Sequence, residues 1–175
     1  MAHLALVNIL CADASGLIAA VTGRLFDLGV NLGDTSFAVL GEAAELTAIC
    51  ELPDDLGLAM VDRELRALPV LASATLSVSP FAFRATHAPS ARITHRIEIT
   101  GDDSPGLVAR LSEVLGNFGA NIVTLNSERM PGASGARYLS RLAVWLPPDK
   151  ADACLATIAN TAAQLSLACR WEKAG

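Results

Sequence analysis

Apolar residues recur along this chain with two different periods. Leu17, Val21, Leu25 and Leu28 stand at i, i+4, i+8 and i+11, which is one face of a helix. Gly29 follows them and predicts the helix stop, because glycine adopts the left-handed C′ conformation most readily. Ahead of this stripe, residues 3–10 form a short apolar run that predicts a strand. Behind it, residues 31–40 and 45–52 predict two strands joined by a turn at Gly41-Glu42. Pro53-Asp54-Asp55 predicts the start of a second helix, with Leu58, Val61, Leu65 and Leu68 on its inner face and Pro69 at its end. Residues 70–78 alternate and predict a last strand.

The whole order then repeats. Leu107, Leu111, Leu115 and Phe118 restate the first stripe, and Gly119 stops it. Asp13-Ala14-Ser15-Gly16-Leu17-Ile18-Ala19 returns as Asp103-Ser104-Pro105-Gly106-Leu107-Val108-Ala109. Gly29-Val30-Asn31-Leu32 returns as Gly119-Ala120-Asn121-Ile122. Both offsets are 90 residues, so the repeat is one small domain rather than a solenoid unit. Residues 94–100, 122–129, 137–146 and 165–171 predict the strands of the second copy. Ser104-Pro105 and Pro147-Pro148-Asp149 predict its helix starts, and residues 131–135 a longer hairpin tip. Each copy reads strand–helix–strand–strand–helix–strand. The expected class is α+β, as two ferredoxin-like βαββαβ domains, each a four-stranded antiparallel sheet with two helices on one face. The boundaries are residues 1–80 and 93–175, with a Pro/Ala/Ser-rich linker at 81–92.

Composition narrows the roles open to such a pair. Domains of this size bury only about 60–65% of their unfolded surface. Hydrophobic residues make up 52% of the chain and charged residues only 18%, which predicts apolar surface covered by a twin domain or by another subunit, most simply in a homodimer. The net charge is −5 and lysines and arginines do not cluster, which argues against direct nucleic-acid binding. The fold is shared with base-stacking RNA modules, but one tyrosine and five phenylalanines in no such pattern do not supply their platform. There is no long uncharged apolar span and no basic leader segment, so the expectation is a cytoplasmic protein with no membrane contact. Cys11, Cys50, Cys154 and Cys169 form no CxxC pair, and His3, His87 and His95 stand at no metal-like spacing to them. Free thiols and no metal or cofactor are expected. Nothing resembles a catalytic triad. Asp54-Asp55 and Asp102-Asp103 sit at predicted helix starts, where acids complement the dipole.

The repeated loop is the one place with ligand chemistry. The amides of Ser15, Gly16 and Leu17 stand at a predicted helix N-terminus, which attracts a carboxylate. Gly16 lets a ligand or a neighbouring backbone come close. Asn31, expected beside that loop, can donate to a carboxylate or accept from an ammonium. Asp13 could meet the ammonium. Ser104, Gly106, Leu107, Asn121 and Asp103 repeat these parts. A helix terminus, a glycine and an asparagine suit a small zwitterion. The same residues have purely structural readings: Asp13 and Asp103 as caps, Gly16 and Gly106 for packing, Asn31 and Asn121 as turn formers.

The D-x-x-G-[LI]-[VI]-A loop, the apolar helix and the G-x-N-[IL] that follows resemble the ACT domain, a small-ligand-sensing module, and do so twice over nearly the whole chain. Thr35-Ser36-Phe37-Ala38-Val39-Leu40-Gly41-Glu42 is similar to the second-strand and hairpin segment of the glycine cleavage system transcriptional repressor family, which are tandem ACT proteins. Ser15 stands where the pattern often has proline, as Pro105 does. The second copy has no counterpart of the Leu40-Gly41-Glu42 turn. The resemblance implies a non-enzymatic regulator that senses a small amino acid, glycine first among candidates. It implies control of a protein partner, either a transcription factor or a metabolic enzyme. A dimerisation or docking module without ligand is the alternative, and an acylphosphatase-type enzyme is disfavoured because neither loop carries its arginine.

Overall fold

Residues 3–102, 105–132 and 135–175 are described in the computed structural model of this chain. The first half runs β1 (His3–Ala12), α1 (Leu17–Asp27), β2 (Asn31–Leu40), β3 (Ala43–Leu52), α2 (Leu58–Arg66) and β4 (Thr75–Pro80). The second runs β5 (His95–Asp102), α3 (Leu107–Asn117), β6 (Asn121–Gly132), β7 (Gly135–Trp145), α4 (Ala151–Gln164) and β8 (Ala168–Lys173). Each half is a four-stranded antiparallel sheet, in order β2-β3-β1-β4 and β6-β7-β5-β8. These are the two expected βαββαβ sheets. The chain divides into two units, Met1–Ala85 and Thr86–Gly175.

Strand alternation decides which face of each sheet is covered. In β1, Ala5, Val7, Ile9 and Cys11 point to the helices and are buried. Leu17, Val21 and Leu25 of α1 and Val61 and Leu65 of α2 meet them. The second core repeats this with Ile97 and Ile99 of β5, Leu107, Leu111 and Leu115 of α3, and Cys154, Leu155 and Ile158 of α4. Burying such side chains stabilises each unit by about 1.5–3 kcal/mol apiece. The opposite face of each sheet is left open.

Several element boundaries differ from the sequence reading. Residues 53–56 are a turn closed by Leu56 N–H donating to Pro53 C=O at 3.1 Å, and Gly57 is extended, so α2 begins at Leu58. Likewise Lys150 N–H donates to Pro147 C=O at 3.0 Å, and α4 begins at Ala151. Residues 69–71 form a 3-10 turn that seats Leu71 in the core, so β4 starts only at Thr75. The β6–β7 hairpin is longer than expected, with pairing that continues to Gly132 opposite Gly135. Among the described residues, no helix is long and apolar enough to cross a membrane.

Candidate ligand site

The β1–α1 loop and its repeat share one backbone device. Gly16 is the N-cap of α1 at φ +83°, and Gly106 is the N-cap of α3 at φ +81°. A side chain at either would be strained by the left-handed backbone, yet a Cβ there would meet nothing within 4 Å. These glycines are therefore required by the turn, and the space beside them is open. That corrects the expectation that they serve internal close packing.

The free donors at this terminus are not quite the expected ones. Leu17 N–H donates to Ala14 C=O at 3.2 Å, and its side chain lies in the core. Leu17 thus faces the protein, not a ligand, and the buried Leu107 side chain is its equivalent. The amides of Ser15, Gly16 and Ile18 make no backbone hydrogen bond and remain free to take an anion. Asp13 and Ser15 are exposed, and no side chain caps α1, so Asp13 does not act as a cap. The Asp13 backbone N–H donates to Glu42 C=O at 2.9 Å, which ties the loop to the β2–β3 turn. Pro105 and Gly106 are exposed at the second loop, while Asp103 and Ser104 fall outside the described residues.

Asn31 and Asn121 are not beside these loops in their own unit. Asn31 is in register with Glu51, and Glu51 with Leu4, at the start of β1. The Asp13 loop follows Ala12, at the other end of the same strand. Eight steps of about 3.3 Å separate those ends, roughly 26 Å. Helix α1 carries the chain back along the sheet before β2 begins, so nearness to Gly29 in sequence places Asn31 far from Gly16 in space. Asn121 is in register with Trp145 at the corresponding end of the second sheet. Within one unit, the loop and the asparagine cannot hold the same small molecule.

Each asparagine has its own setting. Asn31 Nδ2 donates to Glu51 Oε2 at 3.3 Å, and both line a cavity of about 180 Å³ with Leu4, Gly33, Asp34 and Ile49. The β2–β3 register shifts between Leu32 and Thr35, a bulge that turns Asp34 into this cavity's wall. Two carboxylates and an amide suit an ammonium. Asn121 Nδ2 instead donates to Ser90 C=O at 2.9 Å and pins the segment ahead of β5. Sequence reasoning missed Asp34 and Glu51. The acid one residue before the end of the strand that pairs with Asn31 was the signal.

The remaining titratable groups are structural. Cys11, Cys50 and Cys154 are buried free thiols. Burial pushes all four thiols up, Cys50 to about 11, so none is an activated nucleophile. Among the described residues, no three His, Cys, Asp or Glu side chains converge as a metal site.

No protein-family model and no curated protein matches the sequence. Solved structures do match in fold. A protein of unknown role from Galdieria sulphuraria superposes over 100% of both chains, with a TM-score of 0.78 and 19% identity. A protein provisionally described as a glycine cleavage system transcriptional repressor covers 99% of this chain and 98% of its own, with a TM-score of 0.66 and 12% identity. An ACT domain protein from Streptococcus pneumoniae spans 46% of this chain and 91% of its own, at 24% identity and a TM-score of 0.41. The chain has the tandem ACT-like fold.

Proposed function

We propose that this chain is a non-enzymatic regulator that senses a small amino acid, with glycine the first candidate, and controls a protein partner such as a transcription factor of glycine cleavage genes. The observation that carries the reading is the repeated left-handed glycine at an uncapped helix N-terminus, with free amides and open space in front of it. The full-length fold likeness to the provisionally described glycine cleavage repressor supports the choice of ligand and partner.

The separation of loop and asparagine sets the form of the site. The amides of Ser15, Gly16 and Ile18 would hold the carboxylate on one ACT unit. The Asn31 cavity, with Glu51 and Asp34, would take the ammonium on another. Both lie in the first unit of the chain, so a ligand touching both needs two chains, and ligand binding and assembly into a homodimer would be linked. The second loop, with Asp103, Ser104 and Gly106, and the Asn121 end of the second sheet would repeat this pairing between two chains more weakly, because the Asn121 amide is already spent on Ser90.

Calorimetric titration of the whole protein with each of the twenty amino acids tests this reading. Saturable binding of glycine or another small amino acid is expected. No heat from any of them at millimolar concentration would favour the docking module instead. Phe26, Phe37 and Leu40, exposed by 80%, 43% and 55%, are the apolar surface such a module would use.

A further inference from the structure

The open face of the second sheet is concave and charged. A cavity of about 680 Å³ lies on it, walled by Arg96 and Glu98 of β5, Arg141 of β7, Asn126 of β6, and Arg170 of β8. Strand register makes this an ordered lattice. Asn126, Arg141, Glu98 and Arg170 lie in one row across the four strands, and Thr124, Ala143, Arg96 and Glu172 in the next. Ala143 is buried and too short to fill its place, so it floors the hollow.

The first row is locked. Glu98 accepts from Arg170 at 2.8 Å and faces Arg141 Nε at 3.5 Å, while Arg141 also donates to Glu128 at 3.0 Å. The second row is not. Neither Arg96 nor Glu172 makes an ion pair or side-chain hydrogen bond with any described residue, although they stand opposite each other on paired strands. Glu98 and Glu128 balance Arg141 and Arg170, so Arg96 is the guanidinium of the hollow that has no ion-pair partner among the described residues.

The first sheet has nothing of the kind. Leu6, Ile49 and Ser79 stand where Arg96, Ala143 and Glu172 do, and Ser36, Thr47, Asn8 and Ser77 replace the locked row. Only a neutral hydrogen bond, Thr47 Oγ1 to Asn8 Oδ1 at 2.9 Å, crosses that position.

We propose that the hollow on the open face of the second sheet is a separate binding site for a small monocarboxylate. The free Arg96 guanidinium takes the carboxylate as a two-pronged donor. Arg141 and Arg170, fixed by Glu98, add field without losing side-chain freedom on binding. Thr124 and Asn126 meet a hydroxyl or keto group on the far side of Ala143. One unpaired guanidinium fork matches one carboxylate. A phosphate dianion would bring a second charge that faces Glu98 and Glu172 with no free guanidinium to meet it.

Titration of the full chain with sodium pyruvate and sodium lactate, with inorganic phosphate as the control, tests this. The readouts are calorimetry and the side-chain Nε–H signal of Arg96 by NMR. Pyruvate or lactate should bind saturably and shift that signal, and phosphate should bind more weakly. Arg96→Leu should weaken binding about tenfold or more, and Arg96→Lys by less, because it keeps the charge and loses the fork. Ala143→Ile, which restores the first sheet's residue, should block the hollow. Far-ultraviolet circular dichroism confirms that each variant folds. Gly16→Leu, in the other unit, should leave this binding unchanged. The proposal is overturned if neither carboxylate binds at millimolar concentration, if phosphate binds at least as tightly, or if folded Arg96→Leu and Ala143→Ile bind like wild type.

Discussion

The two sheets share a topology and a register, and they differ most on the faces that the helices leave open. On the first, Leu4, Leu6 and Ile49 are half-buried and Leu10 is exposed, with acids such as Glu45 and Glu51 but no arginine in register with them. On the second, three arginines and three glutamates occupy the same lattice. The covered faces, by contrast, correspond residue by residue: Val21 and Leu25 of α1 recur in role as Leu111 and Leu115 of α3. Packing fixes the inner face of a repeated module because every buried methylene counts. The open face is not so constrained, and the two copies have used it differently.

Where the inner faces depart from each other, the departures are compensated, and swapping residues between copies exposes this. Gly101 is in register with Tyr138 as Cys11 is with Ala44. A Cβ at Gly101 would collide with the Leu167 side chain and come within 3.3 Å of its Cα. Gly101→Cys should therefore cost about 1–3 kcal/mol through overpacking, read as a lower midpoint in urea. An unchanged midpoint would mean Leu167 moves freely and the two cores are less specific than they look.

A second departure gives the halves different responses to pH. His95 replaces Ala5 in the pattern and is buried. Thr94 Oγ1 donates to Val144 C=O and accepts from Leu146 N–H, so His95 Nδ1–H is the donor in its 3.0 Å bond to Thr94. Its Nε2 has no hydrogen-bond partner among the described residues. Burial, and next the Lys173 charge, hold this imidazole below its usual 6.5, with Asp152 opposing. The unfolded chain then binds a proton that the folded one resists. Stability should fall as pH drops through about 6.5 and level off below the folded pKa. His95→Ala should remove that slope, and thermal melts between pH 7.5 and 5 measure it. A slope that persists in the variant would assign it elsewhere.

The smallest expected effect concerns the open faces themselves. Replacing Glu98 and Arg141 together by the first sheet's pair, as Glu98→Asn with Arg141→Thr, should change stability by less than about 1 kcal/mol, because exposed ion pairs contribute little. Glu98→Asn alone should cost more, since it leaves Arg141 and Arg170 without their shared counter-charge. If the double swap is strongly destabilising, the charged lattice is structural rather than functional.

These contrasts also mark what the sequence could reveal. The helix stripes were legible because three of the four residues in each lie in the core, with Leu28 and Phe118 half-buried at its rim. Gly29 and Gly119 were legible as left-handed helix stops, but the left-handed turn at Gly16 and Gly106 was not, because a glycine ahead of a helix also suits close approach or packing. Helix starts were misplaced by about two to five residues because Pro53 and Pro147 open turns, and only then helices. The place of Asn31 was not legible, since it depends on how far α1 travels back along the sheet. The arginine lattice announced itself in the alternation of Arg96-Ile97-Glu98-Ile99. Its meaning needed the pairing with Arg141 and Arg170, 43 and 72 residues further on, and that is information only the folded sheet holds.

The proposal tested most directly is that an amino acid bridges the Gly16 loop of one chain and the Asn31 end of a second copy. Glycine titration by calorimetry of wild type, Gly16→Leu and Asn31→Ala tests it most directly. Wild type should bind saturably. Gly16→Leu should abolish binding while the protein stays folded, because strain at the left-handed position costs only about 1–2 kcal/mol and its Cβ meets nothing. Asn31→Ala should weaken binding by about 1–2 kcal/mol. Wild-type affinity in both variants, or no binding by wild type at millimolar glycine, would contradict the account.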